Sequence, residues 1–174
     1  MAEERPADQL RKEHARMGEE IAGICILLND LRPGDGEKKP ALLRAAGYLE
    51  SQALPHAEAE DCFMYPEVAR LMGCHQATAT MTMDHRFISN HVRALRGEID
   101  AAFSPSGRGL DAEAGARILA PAYRLDGLLR AHFEKEESIF LPLLETKMTP
   151  EEIRRRVLDP MSALVTSGVG RPKI

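Results

Sequence analysis

Tryptophan is absent from this chain of 174 residues, and aromatic residues make up only 5% of it. No apolar run approaches the roughly 20 residues that a membrane-spanning helix needs, and the N-terminus lacks the apolar segment of a signal peptide. Basic residues are not in excess either, because 23 Lys and Arg face 27 Asp and Glu, for a formal net charge of −4. Proteins that bind nucleic acids or acidic membranes have a basic face. We therefore expect neither as a partner.

Cysteine is also scarce. Only Cys25, Cys62 and Cys74 are present, and no two of them have the C-x-x-C spacing. An odd number of cysteines within helical patterns predicts buried, reduced thiols rather than a disulfide framework. Together with the missing signal peptide, this indicates a cytoplasmic protein.

Alternating β-branched runs, the mark of strands, are lacking as well. Instead, apolar residues recur at spacings of three and four, which predicts helices with one inward-facing stripe each. These segments cover about residues 6–31, 40–72, 77–103 and 111–147, separated by Gly- and Pro-containing loops at 33–40 and 104–109 and by a turn at 73–75. Asp111 is a candidate N-cap. On a regular helix the inward stripes would include Phe63, Ile139 and Leu143, and Pro66 would bend or end the second helix.

A short fifth helix is predicted by Thr149, Pro150 and Glu152, which have the capping-box arrangement. It should end before Pro160, and a loose tail should follow from Ser167. We therefore predict an all-α fold. An up-down-up-down four-helix bundle would occupy residues 1–147, and a short C-terminal helix and tail would occupy residues 148–174.

One pattern, H-x-E-x-E-[D/E]-x-x-x-x-P, occurs twice, beginning at His56 and at His132. In each copy the His is followed four residues later by a Glu, Glu60 or Glu136. Residues at this spacing lie on one face of a helix. An imidazole and a carboxylate can then reach the same metal ion, and two copies suggest a two-metal site.

Six ionisable residues fall on the inward stripes: His14, His56, Glu60, His85, His132 and Glu136. One interpretation is a set of buried His–Glu hydrogen bonds without a metal. However, unpaired buried carboxylates cost several kcal/mol, and no other counter-charges lie on the stripes, so bound cations are the simpler solution. Two imidazoles per metal and two bridging carboxylates would give four protein ligands each, leaving octahedral positions for an oxo or hydroxo bridge and an external ligand. These ligand types alone allow iron, manganese, cobalt or zinc.

With one His or one HxxxE on each of four helices, the chain resembles the hemerythrin-like (HHE cation-binding) family over residues 8 to 147. The resemblance implies a non-haem di-iron centre, oxo- or hydroxo-bridged, with the four histidines as terminal ligands and Glu60 and Glu136 as bridges. Oxygen-carrying hemerythrins have a second His where this chain has Ser89, and an Asp where it has Glu136. The ligand set is similar to that of the di-iron domain of the repair-of-iron-centres proteins, which are linked to nitric oxide and oxidative stress.

The resemblance implies a protein that binds or reacts with O2, NO or peroxide. The alternative is a protein without turnover, either an iron store or donor or a redox or oxygen sensor, including one that repairs damaged iron centres. Whether the chain is an enzyme stays open, and the sequence predicts no oligomeric state.

The remaining polar residues have plainer expected roles. Tyr48 and Tyr65 are predicted to pack, although either hydroxyl could lie near the metals. His75 is predicted to face solvent in a turn. His91, on the flank of the inward stripe, is predicted to lie on the helix surface, with a place in the site as the alternative. Four acidic residues are predicted to be outer-face charges, one of which could hold a ligand histidine: Glu58, Asp61, Glu134 and Glu137.

Overall fold

The computed structural model describes residues 5–29, 36–104 and 109–167. Within these ranges the chain forms five helices, one 3-10 turn at Gly36–Lys38 and no strand. The all-α prediction is confirmed. The predicted end of the first helix at Leu31, residues 33–35 of the first predicted loop, residues 105–108 of the second and the tail from residue 168 lie outside the described ranges. The helices are α1 (Asp8–Asn29), α2 (39–72), α3 (Ala79–Ala102), α4 (112–147) and α5 (150–167).

Helices α1 to α4 pack as a bundle in which α1 and α3 each contact both α2 and α4. Each buries most of the stripe that its spacing predicts, and Ile21, Leu49, Leu95 and Leu125, one from each helix, are fully buried. Burying one such side chain stabilises a fold by about 1.5–3 kcal/mol. The α4 start is as predicted, because the Asp111 side chain accepts a hydrogen bond from an amide of the first turn. No helix in the described ranges is both long enough and apolar enough to cross a membrane.

The turn between α2 and α3 is also where the sequence places it. Gly73 ends α2 in the left-handed conformation, with φ at 65°, which glycine adopts without steric cost. Cys74 follows in this turn and is exposed, whereas Cys62 is half-buried and Cys25 is buried. The prediction of buried thiols is therefore correct only for Cys25.

Four turns within the described helices are wider than α-helical turns, with backbone hydrogen bonds that span five residues. They are the π turns Leu49–Ala53, Glu60–Met64, Glu136–Phe140 and Arg154–Leu158. A proline lies two residues beyond the last residue of each turn: Pro55, Pro66, Pro142 and Pro160. Proline lacks an amide hydrogen, and its ring clashes with the carbonyl four residues earlier in an α-helix. A π turn moves that carbonyl aside, so the helix continues.

These turns bear on two prolines with predicted effects. Pro66, which was predicted to bend or end α2, does not end it, and the helix runs on to Met72 as its apolar spacing predicts. The predicted stop before Pro160 is wrong, because α5 continues to Ser167. In both cases the preceding π turn removes the clash that would have broken a regular helix.

The extra residue in a π turn also shifts the inward face by one position. The regular pattern predicted Phe63, Ile139 and Leu143 on the inward stripes, but Ile139 is 51% exposed, and the other two are only partly buried. The buried residues are instead their immediate successors, Met64, Phe140 and Leu144. Beyond Glu60 and Glu136, the regular-helix interpretation is therefore wrong by one residue.

Two apolar clusters fill the bundle, and a polar layer separates them. On α1, Leu10 belongs to one cluster and Met17 to the other, with buried His14 between them. His85 has the same position on α3. Apart from Thr78, every polar or charged residue that is buried within the described ranges belongs to this layer: His14, His56, Glu60, His85, His132 and Glu136. We call these six residues the polar layer.

Helix α5 packs on the outside of the bundle, against the part of α2 that carries His56 and Glu60. The capping box predicted at its start is present, with Thr149 and Glu152 each accepting a hydrogen bond from the other's backbone. Apolar residues of α5, among them Ile153 and Met161, are buried against the bundle. One side of the polar layer is therefore covered by the C-terminal helix.

Candidate metal centre

The structure brings all six polar-layer residues together. None of them is more than 6% exposed. They form two groups in which one nitrogen or oxygen atom from each residue lies within 4.8 Å of those from the others. One group contains Glu60, His85, His132 and Glu136, and the other contains His14, His56 and Glu60. Glu60 belongs to both.

The four histidines form two pairs. The rings of His14 and His56 lie 5.2 Å apart, centroid to centroid, and the Nε2 atoms of His85 and His132 lie 3.0 Å apart. Glu60 lies between the pairs, with Oε1 3.0 Å from His56 Nε2 and Oε2 3.3 Å from His85 Nε2. Each carboxylate oxygen of Glu60 therefore faces a different pair.

Glu136 repeats this arrangement from the other copy of the sequence pattern. Its Oε2 lies 3.5 Å from His14 Nε2, and its Oε1 lies 3.4 Å from His132 Nε2. Both carboxylates thus link the two histidine pairs, one from α2 and one from α4. This is the geometry that a bridging carboxylate requires.

Several of these buried atoms have no hydrogen-bond partner in the described structure. They include Nε2 of His14 and of His56, both oxygens of Glu60 and Oε2 of Glu136. A buried polar atom left in this state costs about 1–3 kcal/mol. Two ligand atoms that are each about 2.0–2.2 Å from one ion lie about 3 Å apart when adjacent, which is the spacing between His56 and Glu60. Close donor atoms that do not hydrogen-bond to one another fit a shared cation.

The profile of the family described as Hemerythrin HHE cation binding domain matches residues 5–144. The chain belongs to this family. No curated protein and no solved structure gives a significant match to it. The matched region contains the whole polar layer of this hemerythrin-like protein, whereas α5 lies beyond it.

On its side away from the centre of the polar layer, each of the four histidines directs its second ring nitrogen, Nδ1, at a carboxylate from another helix. Such a carboxylate orients a metal-binding imidazole, selects the tautomer that leaves Nε2 free, and raises the basicity of the ring. The pairs are His14–Glu137 at 3.0 Å, His56–Glu13 at 3.0 Å, His85–Asp61 at 3.1 Å and His132–Asp84 at 3.4 Å. All four Nε2 atoms consequently face inward.

Two of these four carboxylates belong to the group predicted as outer-face charges, one of which could hold a ligand histidine, and two were missed. Asp61 and Glu137 directly follow Glu60 and Glu136, while Glu13 and Asp84, the missed pair, directly precede histidines of the layer. An acidic residue beside the inward residue of every helix is the signal that could have revealed them. Which histidine each acidic residue contacts, however, depends on how the helices pack against one another. Glu134, by contrast, is exposed and accepts a hydrogen bond from Ser138, as expected of an outer-face charge.

Charged groups in and beside the polar layer stabilise one another's charged forms. Burial lowers the pKa of His56, but attraction to Glu60 and the contact with Glu13 outweigh it and raise that pKa to about 10. The pKa of His85 is likewise lowered by burial yet raised overall to about 9 by Asp61 and Glu60. Burial raises the pKa of Glu60, but its histidine neighbours, His56 first, hold it well below the usual value. Without a metal, Glu60 therefore forms buried ion pairs with His56 and His85.

Tyr65 is a further member of the site that the sequence interpretation assigned to packing. It is 2% exposed, and its hydroxyl donates a 2.6 Å hydrogen bond to Glu136 Oε1. The hydroxyl oxygen of Tyr65 also lies 3.1 Å from His85 Nε2 and 3.3 Å from His132 Nε2. Burial, and then the charges of Glu60 and Glu136, raise the Tyr65 pKa far above its usual value, so the hydroxyl keeps its proton beside these carboxylates.

A π turn explains how Tyr65 reaches the layer. On a regular α-helix, a residue five positions after Glu60 points about 140° away from it. The π turn Glu60–Met64 has a larger circumference, and the Tyr65 amide bonds to the Glu60 carbonyl. This brings the Tyr65 side chain back towards the face of Glu60. The second copy of the pattern has Leu141 at this position, so the hydroxyl makes the two halves of the site unequal.

The other candidates lie outside the layer. Tyr48 packs beneath Arg16, whose guanidinium is 4.9 Å from its ring centroid. His75 is exposed and His91 is partly buried, and neither belongs to a metal-binding group of the described residues. Ser89, which replaces the extra histidine of the oxygen carriers, lines a groove of about 890 Å³ together with His85.

Proposed function

We propose that this hemerythrin-like protein holds two iron ions in the polar layer and binds or reacts there with a small ligand, O2, NO or peroxide. The observation that carries the proposal is the division of each carboxylate between the two histidine pairs. Glu60 and Glu136 both direct one oxygen at each pair. Binding a single ion does not require each carboxylate to face both histidine pairs, whereas binding two bridged ions does.

The ligands follow from the pairs. His14 and His56 would bind one iron, His85 and His132 would bind the other, and the two glutamates would bridge them. Imidazole and carboxylate donors with open positions are typical of non-haem iron sites. Four protein donors for each octahedral ion leave positions for an external ligand. Bound iron would supply one-electron redox chemistry and a place for a diatomic molecule or peroxide.

The protein's own groups would control what happens at that place. The two apolar clusters on either side of the layer exclude water along the bundle axis, which strengthens electrostatic interactions within it. The Tyr65 hydroxyl is the protonated group closest to the Glu136 carboxylate and can position a hydrogen bond inside the site. The groove that reaches His85 between α2 and α3 offers small molecules an approach.

Metal analysis combined with an electronic spectrum tests the di-iron centre. We expect two irons per chain and the absorption of a bridged ferric pair. One zinc, or no metal, would contradict the proposal. Glu60→Ala and Glu136→Ala should each lose at least one metal, because each removes a bridge, whereas the exposed His75→Ala should lose none. Full metal retention in both glutamate variants would rule out bridging.

Mixing the reduced protein with O2, NO and peroxide in turn tests the reactivity. Spectral change with at least one of them, followed by recovery on re-reduction, is the expected result. If the iron is present and none of the three binds or reacts, the protein is better described as an iron store, donor or sensor. Loaded Tyr65→Phe protein should keep both irons but change its reaction rates, because the variant removes only the hydroxyl.

A further inference from the structure

A cavity of about 390 Å³ lies between α1, α2 and α5, next to the polar layer. Its size is within the roughly 300–1,000 Å³ that small-molecule sites span. Helix α5 forms one wall through residues such as Met161 and Val165, and this helix lies beyond the region matched by the family. The cavity is therefore partly built by a segment outside the hemerythrin-like match.

Much of the lining is apolar. Two methionines, one from α1 and one from α5, are buried there, Met17 at 2% and Met161 at 3% exposed. Methionine side chains adapt to ligands of irregular shape. The apolar lining residues are Leu10, Met17, Leu158, Met161 and Val165. An apolar body of modest size would be desolvated against them.

Arg16 adds a fixed positive charge to the same cavity. Its guanidinium lies over the ring of Tyr48, 4.9 Å from the centroid, and both residues line the cavity. Within the described ranges, no carboxylate forms an ion pair with Arg16. The one lining carboxylate, Glu13, is already engaged, because it binds His56 Nδ1 at 3.0 Å and accepts a hydrogen bond from Gln9 at 3.0 Å.

We propose that this cavity binds a small organic anion with an apolar body, such as a medium-chain carboxylate. Its charged group would pair with Arg16, because a guanidinium matches a carboxylate in geometry and charge. Its apolar part would lie against Met17 and Met161. An occupant would touch Glu13 and His56, the hydrogen-bonded pair that forms the wall towards the polar layer. The inference rests on the cavity alone and does not require that the layer hold iron.

Isothermal titration calorimetry of the protein as purified, with sodium octanoate, tests the proposal. We expect saturable binding of one octanoate per chain, at least tenfold tighter than binding of octylammonium, which has the same tail and the opposite charge. Butanoate should bind more weakly than octanoate, because less apolar surface is buried. No saturable heat, or equal affinity for octanoate and octylammonium, would overturn the proposal.

Two variants locate the binding site. Arg16→Gln should weaken octanoate binding about tenfold and reduce the preference over octylammonium, although Lys12, which also lines the cavity, is still present. Val165→Trp should fill the cavity and abolish binding. The matched controls are Arg124→Gln and Ala163→Trp, which change exposed residues outside the cavity and should bind like the parent protein. Because Arg16 is exposed, its variant is expected to fold even if Val165→Trp does not. Unchanged charge preference in Arg16→Gln would refute the assignment.

Discussion

Replacing Glu13 by glutamine tests whether the outer carboxylates tune the metal centre. Glu13 Oε2 lies 3.0 Å from Nδ1 of His56. Glutamine has nearly the same shape and can still accept a hydrogen bond from that nitrogen, but it carries no charge. The variant therefore removes the electrostatic contribution to the basicity of His56 while leaving its orientation in place.

The size of the effect follows from the exposure of the pair. Losing an outer partner of a metal-binding histidine typically weakens metal affinity about 10–100-fold. The Glu13 side chain is 40% exposed, whereas His56 is 6% exposed, so solvent screens part of the interaction. Protons also compete less well for His56 once the carboxylate is gone, which offsets some of the loss. We expect the lower end of the range, about tenfold or ~1.4 kcal/mol.

Competition with a coloured chelator for Fe(II) or Co(II), under anaerobic conditions and near neutral pH, measures this affinity. Glu134→Gln is the matched control, because Glu134 is exposed and bonds only to Ser138 among the described residues. It should bind metal like the parent protein. An affinity of Glu13→Gln within about twofold of that control would refute the argument that the outer carboxylates tune the centre.

Three further predictions concern metal, protons and the tyrosine. Removing the metal with a chelator should lower the unfolding temperature in a calorimetric scan, and adding the metal back should restore that temperature. The reason is that an ion at 100 times its Kd stabilises the fold by about 2.7 kcal/mol. An unchanged temperature would contradict metal binding to the folded chain. With folded pKa values of about 10 for His56 and about 9 for His85, against an ordinary 6.5, protonation stabilises the metal-free fold fully below about pH 6.5 and is lost as the pH rises through 9 to 10. Metal must displace these protons, so calorimetry in buffers of different ionisation enthalpy should show about two protons released per chain near neutral pH. The metal affinity should also rise with pH. If no protons are released, His56 and His85 are not protonated metal ligands. Tyr65→Phe should destabilise the metal-free protein by about 1.5–3 kcal/mol in urea unfolding, because it removes a hydrogen bond to the buried Glu136 carboxylate. The control Tyr123→Phe, at an exposed tyrosine, should change the free energy of unfolding by less than about 0.5 kcal/mol.

Much of the fold could be predicted because it depends on local spacing. Apolar residues three and four apart define a helix face whatever the helix packs against, so the helical segments and the inward position of His14 and His85 follow from the sequence. Capping at Asp111 and at Thr149 is equally local, since each side chain bonds to an amide of its own first turn.

The errors in the helical pattern share one local cause. The turns that end two residues before Pro66 and Pro142 are π turns, and this moved the buried position from Ile139 to Phe140 and turned Tyr65 towards Glu136. A regular helical wheel cannot show this shift, because it assumes 3.6 residues in every turn. Both copies of the repeated pattern contain this proline, but a proline alone does not predict the shift, because Pro121 lies within α-helical turns of α4.

By itself, the sequence determined that the chain is helical and that four histidines and two glutamates face inward, because these properties depend on residues a few positions apart on one helix. Only the tertiary structure decided how the six combine. The pairing of His14 with His56 and of His85 with His132, and the partner of each Nδ1, join residues on different helices. The separations in sequence range from 24 residues for His85–Asp61 to 123 residues for His14–Glu137. Such contacts depend on how the helices pack around the bundle, which no local spacing encodes.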